Sequence, residues 1–274
     1  MGFLQKYSIS PKYLTKPSRR RSGQLVSPGV KFVVAHDTGN PQSTASGNVA
    51  YYERSRDEES ASAHIFVDDK QIIECIPALT APSEKAWHVL YRVKTDNQMY
   101  GCDANDAAIG IEYCYGQNIE ADEAYRKYVW VIAFTCSKFG LDPATSVVGH
   151  AFLDPTRKTD PGSGLGFSRR TYDQLLRDVQ SEYRVCQTTT DQQGTVPVAT
   201  QYDFVQQAGT VRVTSKLNIR FGEPSRMNDV VQEVLSGSPL DYVGWVTNGE
   251  PVNGNPKWYR DVNGNYFWSG ATIV

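Results

Sequence analysis

No run of apolar residues in this 274-residue chain approaches the roughly 18–20 needed to span a bilayer, so a membrane span is not expected. The opening stretch, MGFLQKYSISPKYL, has no uninterrupted apolar segment of about 7–15 residues, which argues against a secretory signal peptide. Lys6 stands where a myristoylation site needs Ser or Thr. Cysteine is scarce and odd in number: Cys75, Cys102, Cys114, Cys136 and Cys186, with no CxxC pair. That excludes a disulfide framework and a zinc ribbon and predicts core thiols in a reducing compartment. Charge of neither sign dominates, since 28 Lys and Arg against 30 Asp and Glu leave a net charge of −2. Nothing in that balance drives the chain onto nucleic acid. The apolar content of 40% with 21% charged residues supports a buried core. At about 100–200 residues per domain, the length suggests one large domain or two smaller ones.

Acidic residues are absent from residues 1–36, which carry seven cations including Arg19, Arg20 and Arg21. Such a run reads either as a solvated arm or as a patch for an anionic polymer, and the solvated arm is the expected state. Residues 31–35 (KFVVA) predict a buried strand ending at His36, and 43–56 a helix. Residues 63–76 predict a hairpin turning at Asp68, Asp69 and Lys70. A long irregular loop is expected over 80–107, a strand over 108–114, and the clearest helix over 120–139, stopped by Gly140. Val147 and Val148 form a brief strand, a loop follows, and Ser168 is the expected cap of a last helix. The segment 187–204 reads as a linker, between a domain at 1–186 and a strand-rich domain at 205–274 with Asn-Gly turns at 248–249, 253–254 and 263–264.

The chain has only four histidines, His36, His64, His88 and His150. His36 and His150 each follow a short apolar strand, and ligands of open α/β sheets gather at the carboxyl ends of strands. Two such histidines can share a metal ion if a third ligand reaches them. Asp160, ten residues after His150 in a loop punctuated by Pro and Gly, is a candidate. A His-His-Asp set leaves an open position for water, as catalytic zinc sites do. Spacing alone is weak support, because each histidine could equally be a hydrogen-bonded core or surface residue.

The segments VVAHDTG (33–39), SAHIFVDDKQII (62–73), AWH (86–88), IGIEYCYG (109–116) and GHAFLDPTRKTDPG (149–162) are more specific as wholes. In that order they resemble the zinc-dependent N-acetylmuramoyl-L-alanine amidases, which include phage endolysins, recycling and autolytic amidases and peptidoglycan recognition proteins. The resemblance covers about residues 25–180. It implies an α/β fold, a mixed β-sheet flanked by helices, with Zn2+ in a groove. Carried over by position, it implies His36, His150 and Asp160 as metal ligands, Glu112 as the catalytic acid and base, and Lys158 as the lysine two residues before the third ligand. Many phage members have cysteine where Asp160 stands, so this position is similar to the recycling branch. One branch has a tyrosine where Ala63 stands, which leaves proton transfer to Glu112. The physical case for Glu112 is separate: a carboxylate ending an apolar strand is costly unless it has a partner or a task. Trp87 and His88 are expected to line the substrate groove. His64 is a further candidate there, or else a core residue. Cys114 shares a face with Glu112 and is a rival ligand or, more simply, a core thiol.

The segments VTSKLNIRFGEPS (213–225), GWVTNGEPVNG (244–254) and KWYRDVNGNYFWSG (257–270) resemble bacterial SH3-like domains, a small all-β barrel that in lytic enzymes binds cell wall. Trp258, Tyr259, Tyr266 and Trp268 offer flat faces for a polymer or simply fill the barrel. The combined expectation is a peptidoglycan hydrolase that cuts the amide between N-acetylmuramic acid and the L-alanine of the stem peptide. It would be a phage or prophage endolysin, made in the host cytoplasm and acting on the wall after release, with a monomer as the default state. The alternatives are a peptidoglycan-binding module without turnover and a virion-associated wall-binding protein.

Overall fold

A computed structural model describes residues 2–188, 202–220, 223–228, 230–262 and 264–273. The chain divides into two units, Met1–Val196 and Pro197–Val274. The expected linker falls mostly outside the described residues.

In the first unit the elements run Ile9–Pro11 (β1), Phe32–Asp37 (β2), Ala45–Arg54 (α1), Ile65–Val67 (β3), Ile72–Glu74 (β4), Thr95–Tyr100 (α2), Ala104–Ala107 (α3) and Ala108–Tyr113 (β5). They continue with Ala121–Phe139 (α4), Val147–Gly149 (β6), His150–Leu153 (α5), Gly162–Phe167 (α6) and Tyr172–Thr188 (α7). The strands form one mixed sheet in the order β1-β4-β3-β5-β2-β6. Only the β3–β4 hairpin is antiparallel; β2 runs parallel to both β5 and β6. Every residue of β2 is buried, as expected of a parallel strand covered on both faces. The long helix α4 supplies much of the core through Tyr128, Trp130 and Ile132. Glu120 caps it by accepting from the amides of Asp122 and Glu123, and Gly140, at φ 65°, ends it.

Four local expectations need correction. The basic arm is solvated only in part: Lys6, Lys12, Lys16, Arg19 and Lys31 are exposed, but the arm packs on the fold. It adds β1 to the sheet edge beside β4, buries Leu14, and leaves Arg20 1% and Arg21 6% exposed. The Arg21 guanidinium meets both carboxylate oxygens of the buried Glu84, at 2.7 and 2.8 Å, and donates to Leu14 O. A cation paired that closely can be buried, and a run of cations in sequence does not reveal the pairing. The loop at 80–107 contains α2 and α3, too short to show a helical period. The Gly-rich stretch expected as loop contains α6. Ser168 does not cap the last helix, because Arg169 takes a left-handed conformation at φ 57° and separates it from α7. Thr171 accepts from the Gln174 amide instead, while Ser168 pairs with the Tyr113 hydroxyl at 2.5 Å.

The second unit is all β. Phe204–Val213 (β7), Leu217–Arg220 (β8), Val230–Val234 (β9), Pro239–Val246 (β10), Trp258–Arg260 (β11), Tyr266–Trp268 (β12) and Thr272–Ile273 (β13) form a seven-stranded sheet in the order β13-β7-β10-β11-β12-β8-β9. Its described pairings are antiparallel. Asn253 and Gly254 have φ of 51° and 79°, the turn an Asn-Gly pair favours. Trp258, Tyr259 and Tyr266 are buried, so three of the four aromatics singled out in sequence are core, and only Trp268 is half-buried.

Candidate active site

The register of β2, β5 and β6 assembles the site. His36 lies beside Glu112, and Ala35 beside Gly149, so His150 follows β6 at the level of His36. Residues level in parallel strands share a face, which turns His36 and Glu112 to the same side. On β5, Gly110 shares that face and leaves room for the His88 ring: a Cβ there would stand 2.8 Å from His88 Cγ. The opposite face carries Ile111 and Tyr113 into the core beneath α4, whose Tyr128 hydroxyl donates to the His36 carbonyl at 2.9 Å.

Asp160 reaches the histidines from the loop between α5 and α6. Its Oδ2 lies 2.8 Å from His36 Nδ1 and 3.1 Å from His150 Nδ1. The loop is pinned by Ala151 N donating to Asp160 O at 2.9 Å, and the start of α6 just beyond it by Gly164 N donating to Asp37 Oδ2 at 2.8 Å. Asp37 is thus a site residue that sequence reasoning missed. Its one signal was its place directly after His36.

Two imidazole nitrogens and one carboxylate oxygen within 4.8 Å of one another can hold a metal ion. Their chemistry fits zinc, which takes nitrogen and carboxylate oxygen donors. Burial lowers the His36 pKa to about 4, so its ring is neutral near pH 7 and keeps a lone pair. Burial alone would raise the Asp160 pKa, but the hydrogen bonds from His150 and His36 overcome it and hold the carboxyl well below the usual range.

Glu112 differs. Burial above all, then the carboxylates of Asp160 and Asp37, push its pKa well above the ordinary value, and Lys158 opposes them. Its Oε2 is buried with no hydrogen-bond partner. A carboxyl group with a raised pKa and an unspent oxygen facing a ligand cluster suits proton transfer. The cavity before it, of about 370 Å³, is lined by His36, Tyr52, Trp87, Glu112, Lys158 and Asp160 among others. Tyr52, from α1, was not expected there, since its helix lies 60 residues upstream of Glu112 and nothing in its local pattern points to the site.

Of the groove candidates, Trp87 is half-buried on the cavity wall. His88 reaches the cavity but chiefly backs His36: His88 Nδ1 lies 3.1 Å from His36 Nε2, while the His88 and Val89 amides donate to Asn105 Oδ1. His64 does not line the groove. It is fully buried, its Nε2 donating to Glu84 O at 2.9 Å and its Nδ1 accepting from Gly110 N at 3.0 Å. With both ring nitrogens engaged by backbone, it ties the 84–88 loop to β5. Cys114 is a core thiol 3.6 Å from Asn48 Nδ2. The His36–His88 contact carries a prediction. His88→Ala should weaken divalent metal binding by about 10–100-fold, the usual effect of losing an outer partner of a metal histidine. Chelator competition measures it, and an unchanged affinity would reduce His88 to packing.

Fold and site together define a mixed α/β protein with a candidate metal centre at the carboxyl ends of its parallel strands. The chain belongs to the Amidase_2 family, N-acetylmuramoyl-L-alanine amidase, whose model matches residues 26–163. It is 34% identical over 152 residues to the N-acetylmuramoyl-L-alanine amidase BlyA of Bacillus subtilis (strain 168), covering 53% of this chain and 40% of that protein. The chain thus spans less than half the length of this relative. Among solved structures it is similar to the Staphylococcus aureus hydrolase AmiA in complex with its ligand, at 23% identity and a TM-score of 0.53 over 68% of this chain and 87% of that one. It is also similar to the catalytic domain of XlyA, at 22% identity and a TM-score of 0.50 over 63% of this chain and 99% of that one. Both likenesses concern the fold.

Proposed function

We propose that the protein is a zinc-dependent peptidoglycan hydrolase of the phage or prophage endolysin type, cutting the amide between the lactyl group of N-acetylmuramic acid and the L-alanine of the stem peptide. The observation that carries the reading is the meeting of His36 Nδ1, His150 Nδ1 and Asp160 Oδ2 in a cavity shared with the unpartnered carboxyl of Glu112. His36, His150 and Asp160 hold the zinc, which when bound supplies Lewis-acid activation and brings the pKa of water down to about 7. Glu112 takes a proton from the water that attacks the amide carbonyl and gives it to the departing nitrogen, so that the C–N bond yields a lactyl carboxylate and the free amine of L-alanine. Lys158, half-buried on the cavity wall, faces the oxygen that gains charge. Losing one such stabilising donor typically slows a reaction by about 10²–10³-fold.

The C-terminal unit serves in this reading as an SH3-like wall-binding domain that raises the local concentration of the enzyme on its polymer. The family membership supports the catalytic assignment, and the presence of Glu112 and Lys158 together with His36, His150 and Asp160 disfavours a module that only binds. Mass spectrometry of digested cell walls tests the reading. Free stem peptides beginning with L-alanine are expected, whereas new reducing sugar ends or severed crossbridges would assign another lysin class. Retention on walls with no released peptide would leave a binding protein.

A further inference from the structure

The residues that precede the family match reach the cavity from behind. Arg20 lies outside residues 26–163, yet its side chain is among the most buried of any charged group in the first unit. Its Nε and Nη2 donate to Ser55 Oγ at 3.2 and 2.8 Å, and its Nη1 donates to the Ala61 carbonyl. Its guanidinium carbon stands 4.3 Å from the centre of the Tyr52 ring. The ring is held on another side by the edge contact with Phe66, 5.1 Å between centroids.

These contacts join two separate stretches of chain, the end of α1 and the 59–62 loop. Tyr52, Ala61 and Ser62 all line the cavity, and Ser62 is latched to Trp87 in both directions: Ser62 N donates to Trp87 O, and Trp87 N to Ser62 Oγ, each at 3.0 Å. One side of the cavity is therefore a single bonded unit, Tyr52–Ala61–Ser62–Trp87, with Arg20 as its bolt. The only carboxylate within reach of Arg20 among the described contacts is Glu59, at 3.0 Å, and the Glu59 side chain is 49% exposed. A buried guanidinium with so exposed a partner is a poor stabiliser of the fold, because desolvation offsets much of the attraction. What the fork does well is fix directions, since its planar donors meet Ser55, Ala61 and Glu59 while its face lies over Tyr52 and, at 5.3 Å, Tyr51.

We propose that the N-terminal arm is a working part of the substrate groove: Arg20 is a positioning residue that holds the Tyr52 wall, and Tyr52 is the surface against which the substrate lies beside its scissile amide. This rests on the amidase reading for the identity of the substrate. It goes further in making substrate affinity depend, through Tyr52, on Arg20, a residue contributed from outside the family match. Burial and the nearby Glu112 carboxylate keep the Tyr52 phenol neutral, so the wall offers a flat apolar ring and an uncharged hydroxyl.

The test uses the full chain loaded with zinc and a soluble muramyl peptide, with kcat and KM measured separately. Tyr52→Ala and Arg20→Gln should each raise KM by about tenfold while kcat stays within about twofold, the pattern of lost uniform binding. Arg20→Lys should not rescue, because an ammonium cannot bridge Ser55 and Ala61. The double variant should be no worse than Tyr52→Ala alone, since two residues acting through one contact do not add. Arg19→Gln, at the exposed neighbouring cation, should change neither parameter. An unchanged KM with kcat falling in step with the folded fraction would make Arg20 merely structural and overturn the proposal, as would additive effects in the double variant. If Arg20→Gln does not fold, Tyr52→Ala, which leaves the bonds of Arg20 to Ser55 and Ala61 in place, carries the test. Should the wild-type protein not hydrolyse the fragment, the amidase reading falls separately. Calorimetric binding of the same fragment then decides the wall, with the same order of variants expected and its loss fatal.

Discussion

Replacing Glu112 by Gln is expected to lower wall hydrolysis by about 10²–10⁴-fold, the usual worth of a positioned acid and base, while zinc content and fold stay intact. The amide matches the carboxyl in shape but cannot take a proton from water. The same variant makes a second, opposite prediction for stability. In the folded chain, burial with Asp160 and Asp37 nearby raises the Glu112 pKa above its unfolded value. The native state then binds more protons than the unfolded one between those two values, so this group loses stability for the fold as pH rises through that window. Glu112→Gln removes the loss, and the metal-free variant should melt at a higher temperature than the metal-free wild type at neutral pH. Activity at the wild-type rate would remove Glu112 from the chemistry. A lower melting temperature would show that the carboxyl is satisfied in the fold rather than held in reserve.

Asp160→Ala should abolish zinc binding and hydrolysis together. Among the described contacts the Asp160 carboxylate is the group that touches both candidate ligand nitrogens, His36 Nδ1 and His150 Nδ1, at 2.8 and 3.1 Å. Its removal deletes a candidate ligand and the one carboxylate shared by the His36 and His150 rings among the described contacts. The loss of affinity should therefore exceed the about 10–100-fold that follows from losing an outer partner such as His88. Elemental analysis of the purified variant reads the metal, and peptide release from walls reads the activity. Asp160→Asn, which keeps an oxygen but not the charge, should fall between. Full activity in a preparation shown to be free of zinc would end the metal mechanism.

Much of the first unit was legible because its signals are local. The buried run at 32–37, the hairpin around Asp68 and the helical period of 121–139 each follow from side-chain chemistry within a few residues. His36 and His150 could be picked out by their positions after apolar strands, Asp160 by its spacing from His150 and Glu112 by its cost in an apolar strand, while the family resemblance made these positions specific and alone supplied Lys158. The misreadings have a common cause. Arg20 and Arg21 looked like solvated cations because their partners, Ser55, Ala61 and Glu84, lie far away in sequence. His64 looked available until the backbone of Glu84 and Gly110 was found on its two nitrogens. Tyr52 gave no sign at all.

What the sequence by itself determined is the longer elements, β2, the β3–β4 hairpin, β5, α4 and α7, and the chemistry of the donors, because hydrophobic period and the ligand character of His, Asp and Glu are properties of short segments. Tertiary structure decided which of those groups meet. The parallel register of β2, β5 and β6 levels His36, Glu112 and His150, the pinned loop brings Asp160 onto both rings, and the arm seats Arg20 beneath Tyr52. In that arrangement burial raises the proton affinity of Glu112, while hydrogen bonds from His150 and His36 outweigh burial and lower that of Asp160, because desolvation and bonding depend on what surrounds a carboxylate and not on the residues beside it in the chain.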